Sequence, residues 1–241
     1  MLSAKMHLDY LRRMGRFPEQ APPKIFIFCF VGNFFREVLR LYRCEPYQSP
    51  FASVYRLADY PGVAVGNFKI GAAVNAQKME QLIVWGVQEF YAIGLAGAID
   101  PDLRPGDLVL AEEALREEGV SRHYLEPGDT VKAPGASLSR FEKVLEGTAY
   151  RKGVILSHDA IYGMKEEVFR KRRKEGVLAV EMETAALYAV GTARNAPIAT
   201  ALAISDFEGP NGWEIAFHDP KVLEGQLLFL RALLQALDPL F

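Results

Sequence analysis

Residues 178–190 read LAVEMETAALYAV, an apolar strand-like segment that runs directly into a helical one. Glu181 and Glu183 stand two positions apart at the junction, so on an extended chain they share one face while Met182 points to the other. Carboxylates that leave an apolar strand are costly unless something binds them. Paired carboxylates accept hydrogen bonds from vicinal hydroxyls, and methionine offers a soft apolar surface, so we interpret this junction as a sugar seat. For Glu183 alone, an acid favoured by the helix dipole is the simpler interpretation.

A second apolar segment also ends in an acid. Residues 197–204, PIATALAI, form an apolar run without alternation, which is typical of a strand buried on both faces, and Ser205 and Asp206 follow it. Ligands of open α/β sheets collect at the carboxyl ends of strands. We therefore interpret Asp206 as a candidate general acid, although an aspartate that only opens a loop would have the same neighbours in the sequence.

Strand-like and helix-like segments alternate through the rest of the chain. Strands are predicted at residues 24–31, 53–57, 63–65, 89–93, 108–111, 152–156, 178–182 and 198–204, and helices at residues 34–42, 72–85, 137–145, 166–175, 184–194 and 221–237. This order predicts an α/β fold: a single domain with a mainly parallel, twisted central sheet covered by helices on both faces. Residues 1–23, with an amphipathic segment and three prolines, predict an N-terminal arm, and residues 24–241 the domain itself.

Composition narrows the class of protein. The 241 residues are 50% hydrophobic and 24% charged, which is enough to bury a full core, and the net charge of -2 predicts no binding to nucleic acid or to an anionic membrane. No apolar run reaches membrane-spanning length. Cys29 and Cys44 lack metal-ligand spacing, so we expect no metal site, structural thiols and a cytoplasmic location.

Several segments in a fixed order resemble one enzyme family. They are GLAGAI at 94–99, PGDLV at 105–109, EGVSRHY at 118–124, SHDAIY at 157–162, and VEME at 180–183, with Ser205 and Asp206 further on. Together they resemble the nucleoside phosphorylase family, which includes purine nucleoside phosphorylases, uridine phosphorylases and the related thioadenosine nucleosidases. The resemblance covers residues 24–237 and implies that this region is a catalytic domain that cleaves N-glycosidic bonds.

The resemblance implies roles for the nucleoside-site residues. Asp206 matches the acid that acts at the purine N7, beside Ser205, and Glu183 matches the group that grips the ribose hydroxyls. Met182 packs under the sugar and Glu181 supports the seat. Ile161 stands where an aromatic side chain often stacks on the base. The segment after Tyr162, GMKEE, lacks the glutamine and arginine of uridine phosphorylases, which favours a purine. No arginine in residues 207–219 matches the one that assists this aspartate in many bacterial purine enzymes.

The resemblance leaves the attacking group open. Gly32 and Arg36 resemble the family's first phosphate segment, but Ala92 and Leu95 stand where family phosphorylases place an arginine and a serine or threonine. Glu37, five residues after Gly32, has the spacing of the glutamate that orients water in the nucleosidases, and on a helix it points about 100° away from Arg36. Phosphorolysis is our favoured interpretation. Hydrolysis and a non-catalytic nucleoside-binding module are the alternatives.

The implied partners are small molecules and copies of the same chain. We expect a nucleoside and inorganic phosphate as co-substrates, with no metal or organic cofactor. The resemblance also implies a homo-oligomer, from dimer to hexamer, with shared sites.

Overall fold

The computed structural model describes residues 2–48, 50–51 and 53–237, and in them helices alternate with strands as expected. The helices are α1 Ala4–Arg13, α2 Gly32–Leu41, α3 Ala72–Trp85, α4 Ser137–Val144, α5 Glu166–Lys174, α6 Thr184–Arg194 and α7 Pro220–Leu237. The strands are β1 Ile25–Cys29, β2 Cys44–Pro46, β3 Val54–Leu57, β4 Val63–Gly66, β5 Glu89–Ala98, β6 Leu108–Glu117, β7 Thr130–Lys132, β8 Arg151–His158, β9 Ala179–Glu181, β10 Ile198–Gly209 and β11 Gly212–Ile215. The predicted domain ends at residue 241, outside the described residues.

The strands form one mixed sheet. Their order is β11-β10-β6-β8-β9-β5-β1-β4-β3-β2, with β7 beside β6, and β10 also pairs with β5. The last pairing closes β5, β10, β6, β8 and β9 into a ring. The parallel pairs are β1–β4, β1–β5, β5–β10, β6–β8 and β8–β9, whereas the other described pairs are antiparallel. The prediction of a mainly parallel sheet is therefore corrected: the sheet is mixed and partly closed.

Long, bent strands are the cause of the closure. β5 and β10 are 10 and 12 residues long and run beyond the apolar segments that predicted them. The register of β10 shifts between Ile204 and Asp206, and that of β6 between Ala111 and Glu113. Such bulges bend strands and increase their twist, which lets β10 meet β5.

Helices cover both faces of the sheet. On one face α3 and α6 bury side chains such as Met79 and Leu187, and on the other α2, α4 and α7 bury side chains such as Phe34, Phe141 and Phe229. The predicted helix positions are confirmed to within two residues at each end. The α5 helix differs from the others in having no fully buried side chain.

The N-terminal arm packs on its own chain. In α1, Leu8 is fully buried and lies in the core with residues of α3, and the ring Nδ1 of His7 lies 3.0 Å from Nε2 of Gln81 on α3. No helix within the described residues has the length and apolar character that crossing a bilayer requires. Both cysteines are free thiols, as predicted.

Candidate active site

Four strands bring the predicted site residues to one edge of the sheet. Ser157 of β8 is the register partner of Glu181 of β9. In the same part of the sheet, Gly97 of β5 is paired with Val180 of β9 on one side and with Asp206 of β10 on the other. The two acidic segments predicted from the sequence are therefore neighbours in space, separated only by the end of β5.

Glu181 holds the junction between β9 and α6. The Ser157 hydroxyl donates to Oε1 of Glu181, and the backbone N–H groups of Glu183 and Thr184 donate to Oε2 over 2.8 and 2.9 Å. Burial raises the pKa of Glu181, and these donors act in the opposite direction. Since its oxygens already accept bonds from the chain, Glu181 fixes the backbone that carries Glu183.

Glu183 is the buried carboxylate that can still accept further hydrogen bonds. It is 4% exposed, and its Oε1 accepts a 2.5 Å hydrogen bond from the backbone N–H of Gly71. Burial, reinforced by the nearby charge of Glu181, raises the pKa of Glu183 to about 8. When ionised, a carboxylate offers about four acceptor positions, so acceptor capacity remains for a ligand's hydroxyl groups.

The loop at residues 67–71 brings Gly71 to Glu183. Asn67 donates through Nδ2 to the carbonyl of Phe30 at the end of β1 and accepts from the N–H of Lys69. Asn75 of α3 donates 2.9 Å bonds to the carbonyls of Lys69 and Gly71. Lys69 and Gly71 have φ of 71° and 126°, the conformation that lets the chain turn here. The loop therefore links the ends of β1 and β4 to the junction of β9 and α6.

Asp206 is half-buried and held by two donors of its own chain. The Ser205 hydroxyl donates to Oδ1 over 2.7 Å, and the indole Nε1 of Trp213 donates to Oδ2 over 2.9 Å. Gly97 provides the space, because a Cβ there would lie 2.8 Å from Oδ2 of Asp206 and 3.0 Å from Cζ2 of Trp213.

Trp213 is the residue that sequence reasoning missed. The signal for it was the turn sequence Pro210-Asn211-Gly212, since Asn-Gly between strand-like segments indicates a hairpin. That hairpin pairs β10 with β11 and returns Trp213 towards Asp206.

The start of α2, which carries the predicted phosphate residues Gly32 and Arg36, has no side-chain cap and lies beside a basic side chain. α2 begins at Gly32 without a side-chain cap, so its first N–H groups face outward. A Cβ on Gly32 would lie 3.7 Å from Nη1 of Arg36, which shows that the guanidinium folds back over the helix start. Glu37 accepts bonds of 2.6 and 2.8 Å from Arg40, whose hydrogen bonding lowers the pKa of Glu37.

The remaining predicted positions differ in their burial. Ala92 is fully buried on one face of the sheet, and Leu95 packs against the core on the other face. Both side chains are apolar, so neither offers a polar group to an anion. Met182 is half-buried beside Glu183. Ile161, 59% exposed, lies on the turn after β8.

The family of the chain follows from comparison with known proteins. Residues 24–235 match the model of the phosphorylase superfamily, and the chain belongs to this superfamily. The family predicted from the ordered motifs is thereby confirmed.

Curated relatives and solved structures are consistent with this membership. The DeoD-type purine nucleoside phosphorylase of Caldanaerobacter subterraneus subsp. tengcongensis is 32% identical over 150 residues, which are 60% of this chain and 62% of that protein. The chain thus spans less than two thirds of the length of the curated relatives it matches first.

Two solved structures share the fold. The purine nucleoside phosphorylase of Toxoplasma gondii in complex with immucillin-H has a TM-score of 0.78 at 18% identity, over 91% of this chain and 92% of that one. The AMP nucleosidase of Bacteroides thetaiotaomicron has a TM-score of 0.74 at 20% identity, over 96% and 97%. At these identities the likeness shows the α/β fold alone.

Proposed function

We propose that this protein is a nucleoside phosphorylase that cleaves the N-glycosidic bond of a purine nucleoside with inorganic phosphate, giving free base and ribose 1-phosphate. The observation that carries the proposal is that Gly97 of β5 pairs with Val180 of β9 on one side and with Asp206 of β10 on the other, so the junction that carries Glu183 and the strand that carries Asp206 flank the end of β5. The name of the 32% identical relative supports a purine base.

The arrangement suits the charge that develops in this reaction. As the C1′–N bond breaks, its electron pair leaves with the base and positive charge builds on the ribosyl ring. Asp206 gives a proton to the base, phosphate oxygen bonds to C1′, and the hydrogen of hydrogen phosphate restores the acid through solvent. Glu183 accepts hydrogen bonds from the ribose hydroxyls near the developing positive charge, where a carboxylate is most favourable.

The other residues complete the nucleoside site. Met182 packs under the sugar, and Glu181 fixes the backbone of the seat. Ser205 holds Asp206 through its hydroxyl. We place the base beside Ile161, which is exposed. The chemistry needs only these side chains and phosphate, so we propose no metal and no organic cofactor.

We propose the attacking group from the different contacts that Arg36 and Glu37 make. Arg36 makes no ion pair with any described residue and lies over the uncapped start of α2, an arrangement that suits an anion. Glu37 is engaged by Arg40 through both oxygens, and its lowered pKa makes it a poor base. These contacts support phosphate over water. Because Ala92 and Leu95 add no ligands, we expect weak phosphate binding.

Hydrolysis is the second candidate, and the apolar side chains of Ala92 and Leu95 favour it. The deciding experiment incubates the protein with a panel of purine and pyrimidine nucleosides, with and without phosphate, and identifies the sugar product. Ribose 1-phosphate formed in proportion to phosphate is the expected result. Ribose alone, at a rate independent of phosphate, would overturn phosphorolysis and implicate Glu37. Thermal stabilisation by nucleosides without release of base would indicate a binding module.

A further inference from the structure

The hairpin that follows Asp206 places an indole beside the proposed acid. Asp206 of β10 is paired with Ile215 of β11, and Glu208 with Trp213. Since alternate residues of a strand share a face, Asp206 and Trp213 are diagonal neighbours on the same side of the hairpin. Their contact is the 2.9 Å hydrogen bond from Nε1 of Trp213 to Oδ2 of Asp206.

Contacts with α5 hold this hairpin in place. The Trp213 ring meets Phe169 of α5 edge to face, with ring centroids 5.5 Å apart. Arg173, one turn further along α5, forms an ion pair with Glu208 and donates a 2.7 Å bond to the carbonyl of Ile99. The indole is therefore supported on its far side while its N–H points at the carboxylate.

The two donors of Asp206 differ in what they can do. An indole N–H only donates, so it cannot accept the proton of a carboxylic acid. A serine hydroxyl both donates and accepts. The Ser205 hydroxyl lies 2.7 Å from Oδ1 of Asp206 and 3.4 Å from the carbonyl of Ala96, so it can turn its hydrogen towards Ala96 and leave a proton on Oδ1 free for the base. Oδ2 is thus the anchored oxygen and Oδ1 the one that can carry a proton.

We propose that Trp213 is a positioning residue that anchors Oδ2 of Asp206 and so presents Oδ1 as the proton donor to the leaving base. This proposal rests on the proposed function. It assigns to a neutral indole the orientation of the acid, in a segment, residues 207–219, that contains no arginine. The proton passes from Oδ1 to a ring nitrogen of the base as the C1′–N electron pair leaves with that base.

The test compares Trp213→Phe with wild type on two substrates. Phenylalanine keeps an aromatic ring that can pack against Phe169, but it is smaller than indole and lacks the N–H donor. For a purine nucleoside we expect kcat to fall about 10-fold or more, the effect of losing one hydrogen bond to a charged group, with KM nearly unchanged. A nitrophenyl riboside, whose leaving group needs no proton, should lose less than about threefold. Ile215→Val, on the same strand and 69% exposed, is the matched control.

Each outcome decides a separate question. Equal losses on both substrates, or no loss on either, would overturn the positioning role while leaving the phosphorylase assignment intact. A wild-type protein that releases base from no nucleoside would overturn the proposed function and this role together.

If Trp213→Phe folds poorly, tryptophan fluorescence provides a second test of the contact between Trp213 and Asp206. The chain has two tryptophans, Trp85 and Trp213, so Trp85→Phe leaves Trp213 as the only indole. In that background Asp206→Asn removes the charge beside the indole and should shift its emission, whereas Ile215→Val should not. An emission spectrum that Asp206→Asn leaves unchanged would contradict the hydrogen bond between Trp213 and Asp206.

Discussion

The backbone N–H of Gly71 donates a 2.5 Å hydrogen bond to Oε1 of Glu183, joining the loop after β4 to the junction of β9 and α6. Beneath it, Glu181 accepts from the backbone of Glu183 and Thr184. Glu183 is thus fixed both through its side chain and through its backbone before any ligand arrives. A preorganised acceptor of this kind needs little rearrangement as charge develops on a bound sugar.

Glu183→Gln tests the sugar seat. The amide keeps the size of the side chain and can still accept from Gly71, but it removes the negative charge that the ribose hydroxyls would face. Loss of a charge-assisted bond of about 1.5–3 kcal/mol should lower kcat/KM at least tenfold for a nucleoside. Steady-state kinetics at pH 8.5, above the pKa of about 8 where Glu183 is mostly ionised, measure it, with Glu167→Gln, an exposed acid of α5, as control. Wild-type kinetics in Glu183→Gln would mean that Glu183 is only a helix-end acid.

The raised pKa of Glu183 predicts how stability depends on pH. Burial and the charge of Glu181 raise the pKa of Glu183 from its ordinary 4.5 to about 8, so between these values the folded state holds more protons than the unfolded one. The contribution of Glu183 to the free energy of unfolding is therefore full below pH 4.5 and lost as pH rises through about 8.

Urea unfolding at pH 5 and pH 8.5 measures this effect. Glu183→Gln should lose less stability than wild type between the two values, because its amide does not titrate. The raised pKa of Glu181 leaves part of the dependence in the variant. Identical pH dependence of the two proteins would contradict a buried, titrating Glu183.

The helices and most strands are predictable from the sequence because local periodicity determines which face of each is apolar. The closure of the sheet is not predictable from the sequence, because it depends on how β5 and β10 pair beyond their apolar segments. The edge strands β2, β7 and β11 are short and partly exposed, so they carry little apolar signal.

The site shows the same division. Glu183 and Asp206 stand out in the sequence because each follows an apolar strand, and the structure brings their strands together. Their partners Gly71 and Trp213 do not stand out in the sequence. Gly71 contributes only its backbone N–H, and Trp213 reaches Asp206 only because of the register of the hairpin. Contacts of these two kinds depend on tertiary geometry more than on residue type.

Arg36→Gln tests the proposed phosphate site. Its guanidinium lies over Gly32 without an ion pair among the described residues, so the change should remove charge from the site without breaking a structural contact. We expect the KM for phosphate to rise about tenfold or more and the KM for the nucleoside to change little. Arg40→Gln, on the same helix, is the control and also frees Glu37. A rise in hydrolysis in Arg40→Gln would instead assign the attacking water to Glu37.

Glu181→Gln tests whether Glu181 stabilises the fold or contacts the substrate. Glutamine has one acceptor oxygen, so the Ser157 hydroxyl and the two backbone N–H groups cannot all keep their partner. An unsatisfied buried donor costs about 1–3 kcal/mol, which should appear as a lower free energy of unfolding. Chemical denaturation measures it beside Glu167→Gln. Unchanged stability with lost nucleoside binding would assign Glu181 to the ligand.

Asp206→Asn tests proton donation to the leaving base. A positioned general acid contributes about 10²–10⁴-fold, so kcat for a purine nucleoside should fall by about that factor, while binding changes far less. The Glu183 contacts remain, and therefore a nitrophenyl riboside should be cleaved at nearly the wild-type rate. Asp102→Asn, at an exposed position, controls for the loss of one negative charge. Equal losses on the two substrates would show that Asp206 holds the hairpin through Trp213 and does not donate a proton.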